Sequence, residues 1–195
     1  MNRIEFQKKW FSGNVLNIGC GDDPAEFGAS ATHLDIDLWN LPNFVQGDCH
    51  SLPFADGSFD TAILGDILEH CTIPELAVQE ACRVARRVVI IVPEELALPS
   101  VGTHVALGLK QRADHYRAFH GYVAEMSDED VIVAHKRTDP RFVEAFSESE
   151  VPHDGHINRF DDAWINRLIA CSGKSVKEYL KEPEGSWVNW LIVLE

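Results

Sequence analysis

The sequence predicts an α/β fold built on a largely parallel sheet. Three observations carry that prediction. Short β-rich runs alternate with helical stretches through the first half of the chain. The first run, Val15 to Ile18, is followed at once by Gly19-Cys20-Gly21, a sharp turn of bare backbone. Late in the chain two apolar runs, Ser175 to Leu180 and Trp187 to Leu194, flank the turn Lys181-Glu182-Pro183-Glu184-Gly185, and so short a connection implies an antiparallel pair.

In chain order, Arg3 to Trp10 reads as a short amphipathic helix with Ile4, Phe6 and Trp10 as anchors. Val15 to Ile18 is a buried strand. A second strand ends in His33-Leu34-Asp35-Ile36-Asp37, and a third, Phe44 to Gln46, ends at Gly47-Asp48. Asp56-Gly57 is a turn, and Phe59 to Leu64 follows as an apolar strand. Thr72 is a candidate N-cap for a helix with Pro74 and Glu75 in its first turn. That helix closes with Arg83, Arg86 and Arg87, cations suited to a C-terminus, before the strand Val88 to Val92 and Pro93. Residues 94–151 lack the βα rhythm and are rich in His and acid, which reads as an inserted helical lobe or lid. Within it Ser127-Asp128-Glu129-Asp130 and Asp139-Pro140 are helix starts. Asp161 then caps a helix carrying Trp164, Ile165, Leu168 and Ile169, ended by Gly173.

The chain has 195 residues, enough for one domain, 1–195, with 94–151 inserted in it. It has 17 Lys+Arg against 31 Asp+Glu, a formal net charge of -14. Nucleic acid and anionic lipid attract the opposite sign, so both are disfavoured as partners. The N-terminus is charged and lacks an apolar leader, and no apolar run approaches membrane-spanning length. The five cysteines are scattered and never form a CxxC pair, so they read as free thiols of a reducing cytoplasm, with Cys82 and Cys171 packed in cores.

Several groups converge on one edge. Gly19 and Gly21 follow the first strand, and a segment from Asp22 to Glu26 with Pro24 early in it could open a helix there. Asp22 and Asp23 would repel a pyrophosphate, and Pro24 stands where GxGxxG needs its third glycine, so the loop argues against a dinucleotide. Asp35, with Asp37 as its rival, ends the second strand, where a carboxylate can accept two ribose hydroxyls. Asp48 ends the third strand and suits an exocyclic amine. Asp66 ends the fourth. In an open α/β sheet, ligands bind beyond the carboxyl ends of the strands, where all of these groups meet.

Val15-Leu16-Asn17-Ile18-Gly19-Cys20-Gly21 resembles the first motif of class I S-adenosylmethionine-dependent methyltransferases. Gly47-Asp48-Cys49-His50-Ser51-Leu52-Pro53-Phe54 followed by Asp56-Gly57-Ser58-Phe59-Asp60 resembles that family's small-molecule branch, of the methyltransferase type 11 kind. Leu68-Glu69-His70 and Glu80-Ala81-Cys82-Arg83-Val84 are similar to its next elements. The resemblance, over Val15 to Pro93, implies a Rossmann-like doubly wound sheet of seven strands with the last antiparallel. It implies S-adenosyl-L-methionine as cofactor, contacted by Asn17, Gly19, Cys20, Gly21, Asp35, Ile36, Asp48, Cys49 and Asp66. In that set Asp35 takes the ribose and Asp48 the adenine amine, with the Cys49 amide near the ring and Asp66 on the methionine side. The sequence departs from the family at Asn17, where an acid is usual, at the missing third glycine, and at Arg86-Arg87, which enters the fifth strand without a glycine turn.

The implied chemistry is in-line transfer of a methyl group to a small-molecule acceptor, in which the protein chiefly aligns the partners. No catalytic side chain is assigned. His104, His115 and His120 in the lobe, and His153 and His156 before the last helix, are candidates should a base be needed, whereas His70 reads as structural. The lobe also interleaves Tyr116, Phe119 and Tyr122, suited to a lid over the acceptor. His153-Asp154-Gly155-His156 lacks a third ligand, so no metal is expected. Two other readings stay open: a module of the same fold that binds the cofactor without transfer, and, disfavoured by the loop, a nicotinamide-dependent oxidoreductase.

Overall fold

The computed structural model describes residues 1–22, 27, 30–71, 73–94, 158, 160–184 and 187–195. The elements run α1 (Arg3–Trp10), β1 (Val15–Ile18), β2 (Thr32–Asp35), β3 (Phe44–Gln46), β4 (Phe59–Gly65), α2 (Pro74–Val84), β5 (Ala85–Glu94), α3 (Asp162–Ser172), β6 (Val176–Glu184) and β7 (Trp187–Leu194). The strands form one seven-stranded sheet in the order β3-β2-β1-β4-β5-β7-β6. β1 to β5 are mutually parallel, and β7 runs antiparallel to both β5 and β6. The expected sheet, last strand included, is therefore the one observed.

The central strands are buried on both faces, and their side chains alternate between two cores. Leu16, Ile18, Ala62, Leu64, Val88, Ile90, Trp190 and Ile192 face α2 and α3, where they meet Ala77, Val78, Ala81, Trp164, Ile165 and Leu168. Val15, Ile63, Val89, Ile91, Leu191 and Val193 face the other way, onto Phe6 of α1. Phe6 is the one fully buried anchor of α1, while Ile4 and Trp10 are half-buried. A capping box starts that helix: Asn2 Oδ1 accepts from the Glu5 amide at 2.8 Å, and the Asn2 amide donates back to Glu5 at 3.1 Å. α3 is built as expected, with Asp161 accepting from the Trp164 amide at 2.8 Å and Gly173 closing it in the left-handed region.

Several boundaries differ from expectation. α2 ends at Val84 and β5 begins at Ala85, so Arg86 and Arg87 are strand residues and the connecting loop is absent. β5 continues through Pro93 to Glu94, and β6 runs through the expected turn to Glu184. In both cases pairing with β7 overrides a local breaker: Pro93 lies opposite Asn189 and Pro183 opposite Val188. Pro183 lies on β6, an edge strand, where sheets tolerate proline. Ile73, not Thr72, occupies the N-cap of α2 and gives no side-chain cap. Thr72, the segment Asp23 to Glu26, the lobe with its histidines and aromatics, and the His153–His156 motif lie outside the described residues.

Candidate functional site

A cleft opens at the carboxyl ends of the parallel strands. It is lined by Gly19, Gly21, Leu34, Asp35, Ile36, Gly47, Cys49, Asp66, Ile67, His70 and Cys71. Six residues of the expected set therefore meet there: Gly19, Gly21, Asp35, Ile36, Cys49 and Asp66. The other three, Asn17, Cys20 and Asp48, are not among its lining residues.

The glycine loop is held by its own amides. Gly19 and Cys20 both donate to the Leu34 carbonyl, at 2.8 and 3.1 Å, and Gly21 donates to Asp35 Oδ2 at 2.9 Å. Gly19 has φ +71°, and a Cβ added there would lie 2.3 Å from Cδ1 of Ile67 and 2.9 Å from its Cβ. Only glycine permits both the left-handed turn and the approach of the segment after β4. With these three amides bonded inside the protein, the turn offers a smooth backbone surface and not an anion-binding nest. Asp35 organises this corner. Its Oδ1 accepts from the Asp37 amide at 3.0 Å while Oδ2 holds Gly21, and the lone pairs left on each oxygen can take further donors.

Asp66 has φ +51°, a left-handed conformation uncommon outside glycine and favoured by Asp and Asn among the rest. Its carboxylate pairs with Arg3 of α1, which reaches across the end of β4. Gln7 of the same helix packs its amide against Gly65. The N-terminal helix thus borders the cleft, a role with no signal in its residue pattern.

Asp48 engages His50 through one carboxylate oxygen. Its Oδ1 accepts from the His50 amide at 2.9 Å and from His50 Nδ1 at 2.6 Å. His50 Nε2 in turn accepts from the Ile73 amide at 3.2 Å. An amide donor requires a lone pair on Nε2, so the ring is neutral with its proton on Nδ1. Burial opposes the imidazolium, whereas Cys49 and Asp48 pull towards it and favour protonation. The Ile73 bond decides for the neutral form, since protonation would set two N–H groups against each other. The chain Asp48–His50–Ile73 fastens the loop after β3 to the start of α2. Burial alone would raise the Asp48 carboxyl, but the bonds from His50 outweigh it and hold the group below its ordinary value.

Two further ties fix the cleft walls. Asn158 donates to the Leu68 and Cys71 carbonyls, at 2.9 and 2.5 Å, and its amide donates to the Glu69 carbonyl. Arg83 of α2 binds Glu80, Asp56 and the carbonyls of Leu52 and Phe54, while Glu80 accepts from the Leu52 amide. Asn17 turns to His33 of β2, its amide 3.5 Å from Nδ1. Cys20 is half-buried, and burial pushes its thiol up to about 12. Cys82 and Cys171 are likewise half-buried and pack against the α2–α3 core. His70, set aside in the sequence as structural, lines the cleft together with Ile67 and Cys71.

Cys49, His50 and Cys71 bring three metal-capable atoms within 4.8 Å of one another. Both ring nitrogens of His50 are already engaged, Nδ1 with Asp48 and Nε2 with the Ile73 amide, so a metal there would have to displace one of these bonds. A wider depression at the opposite edge of the sheet is lined by Ser12, Gly13, Asp60, Arg86, Arg87, Lys174 and Glu195. Its cations are already engaged: Arg87 pairs with Glu195, Arg86 with Asp60, and Lys174 donates to the Arg86 carbonyl. It lies at the amino ends of the strands, away from the glycine loop.

Residues 16–92 match a family model described as a methyltransferase domain. Among solved structures, the chain is similar to an S-adenosylmethionine-dependent methyltransferase of Methanosarcina mazei, at 15% identity and TM-score 0.56, over 100% of this chain and 97% of that one. It is also similar to the 1,6-didemethyltoxoflavin-N1-methyltransferase of Burkholderia thailandensis, solved with 1,6-didemethyltoxoflavin and S-adenosylhomocysteine, at 13% identity and TM-score 0.55, over 92% and 69%. A third is the magnesium protoporphyrin IX methyltransferase of Synechocystis PCC 6803 with bound S-adenosylhomocysteine, at 13% identity and TM-score 0.53, over 98% and 78%. No curated protein matches. Residues 16–92 thus match the methyltransferase-domain family, and the chain has the fold of the class I S-adenosylmethionine-dependent methyltransferases.

Proposed function

We propose that the chain is an S-adenosylmethionine-dependent methyltransferase acting on a small-molecule acceptor. The observation that carries this reading is the single cleft in which the Gly19–Gly21 turn and the carboxylates of Asp35 and Asp66 meet at the ends of three neighbouring strands. The residues fit the group. Leu34, Ile36, Cys49 and Ile67 give an apolar slot for a flat ring, Asp35 suits a vicinal diol, and the bare turn admits close approach of an aliphatic tail. A dinucleotide fits less well, because the amides that would cradle its phosphates are bonded to Leu34 and Asp35.

When bound, the cofactor supplies a sulfonium methyl, an already activated leaving arrangement. What remains for the protein is alignment, which contributes on the order of 7 kcal/mol or more in favourable cases. Asp35 would hold the sugar while itself fixed by two backbone amides. Asp66, balanced by Arg3, would sit beside the ammonium of the tail. The Asp48–His50–Ile73 chain acts by keeping the slot in shape, so Asp48 is a positioning residue in this reading. The net charge of -14 favours a neutral or cationic acceptor over an anionic one.

Asn17 favours a second reading, binding without transfer, because a neutral amide turned to His33 adds no charge to the cleft. Transfer of labelled methyl from the cofactor to any small molecule in an extract separates the two. Label in a small-molecule product supports the methyltransferase. Binding of the demethylated cofactor with no transfer supports the second reading, and no binding defeats both.

A further inference from the structure

Cys49 follows β3 and Cys71 follows β4, yet the fold brings their sulfurs to 3.5 Å. A disulfide needs about 2.05 Å, so closure asks for a relative shift of roughly 1.5 Å. Both residues line the cleft, which gives a small oxidant a route to sulfurs that are otherwise buried. The pair is held from both sides. The Asp48–His50–Ile73 chain fixes the Cys49 loop, and Asn158 grips the carbonyls of Leu68 and Cys71. Cys71 Sγ also donates to the Ile67 carbonyl at 3.3 Å. The sequence spacing of 22 residues, with no CxxC, gave no hint of this juxtaposition.

We propose that Cys49 and Cys71 are a redox-active dithiol that a small oxidant, reaching them through the cleft, converts to a disulfide joining the loop after β3 to the segment after β4. With a peroxide as oxidant, one thiolate attacks a peroxide oxygen, the O–O bond breaks, and a sulfenic acid forms with release of hydroxide, which takes up the displaced proton as water. The second sulfur then attacks the sulfenic sulfur. The S–S bond forms and the sulfenic hydroxyl leaves as a second water. Two thiols and one peroxide become one disulfide and two waters, the sulfurs losing the two electrons that the peroxide gains. The contact with Cys71 and burial hold the Cys49 thiol well above its ordinary range, against a weaker opposing pull from His50, whose Nδ1 lies 3.7 Å from the sulfur, so closure speeds up as the solution is made alkaline.

The test is peptide mapping by mass spectrometry of the whole chain after exposure to hydrogen peroxide, with and without S-adenosylhomocysteine. The expected product is a Cys49–Cys71 crosslinked peptide, two hydrogens lighter, that disappears on reduction with dithiothreitol. It persists in the Cys20→Ser chain and is absent from Cys49→Ser and Cys71→Ser chains with native circular dichroism. Access through the cleft is the part that rests on the proposed function. S-adenosylhomocysteine, where calorimetry shows it bound, should slow the crosslink by about fivefold or more, since a ligand in the cleft shields both sulfurs. Cys49 and Cys71 recovered as free or singly oxidised sulfurs while Cys20 reacts would overturn the proposal. Unslowed crosslinking with the ligand bound would overturn the route through the cleft. Should S-adenosylhomocysteine fail to bind the reduced chain, the cofactor reading falls while the crosslink still decides the dithiol.

Discussion

Asp35 carries more of the site than any other side chain, because it joins the glycine turn to the cleft. Replacing it by Ala removes two acceptors from the Gly21 and Asp37 amides as well as any ligand bond. Charge-assisted bonds of this kind contribute about 1.5–3 kcal/mol each, so Asp35→Ala should weaken cofactor binding by at least about tenfold in a calorimetric titration. Asp35→Asn keeps one acceptor oxygen and should fall between the two. Gly19→Ala presses a methyl against Ile67 at a left-handed φ, at a cost of about 1–2 kcal/mol for the conformation alone. A thermal melt of that variant should fall and its ligand affinity should fall with it. The turn and Asp35 were legible in the sequence because strand ends and glycines announce themselves locally. Asp48 was not: its spacing suits a free carboxylate at a strand end, and only the fold shows its oxygen taken twice by His50, two residues on. His50→Ala should destabilise the chain by about 1–3 kcal/mol, as the buried Ile73 amide loses its acceptor.

The elements that border the cleft are set by long-range pairing as much as by their own sequences. α1, β1, β3 and α3 were readable from caps, periodicity and turn residues. The ends of β5 and β6 were not, because β7, which pairs through Pro93 and Pro183, lies far along the chain from β5 and contributes a full ladder that no local breaker interrupts. The Arg83 tie was equally invisible. One guanidinium gathers Glu80, Asp56 and two carbonyls, and so fixes the Leu52–Gly57 loop to α2. Arg83→Ala should lower the denaturant midpoint, by about 1–3 kcal/mol of stability, while leaving the α2–α3 core intact by tryptophan fluorescence. Leu168→Ala in α3 acts differently. It empties a fully buried site and should cost about 2–5 kcal/mol with little change in the cleft.

Across the molecule, the candidate binding groups among the described residues share one edge of the sheet. Glycine turn, carboxylates and apolar slot gather where the parallel strands end, and helices on both faces supply the rigidity that alignment needs. The same acidic groups set its response to pH. Burial raises Asp48, yet His50 brings it below its ordinary 3.8, and Arg83 brings Glu80 below 4.5. Both therefore bind protons more readily in the unfolded chain. Their stabilisation is complete above the ordinary carboxylate range and is lost as pH falls through and below it, from about pH 5 downward. Acid titration followed by circular dichroism should show this loss, with a shallower acid limb in Asp48→Asn. In the proposed function the cleft takes a nucleoside with an amino-acid tail through Asp35. Isothermal titration with S-adenosylhomocysteine decides it. Saturable one-to-one binding by the native chain, weakened by at least about tenfold in a folded Asp35→Ala chain, is the predicted result. Absence of binding to the native chain, or equal affinity in both, would contradict it.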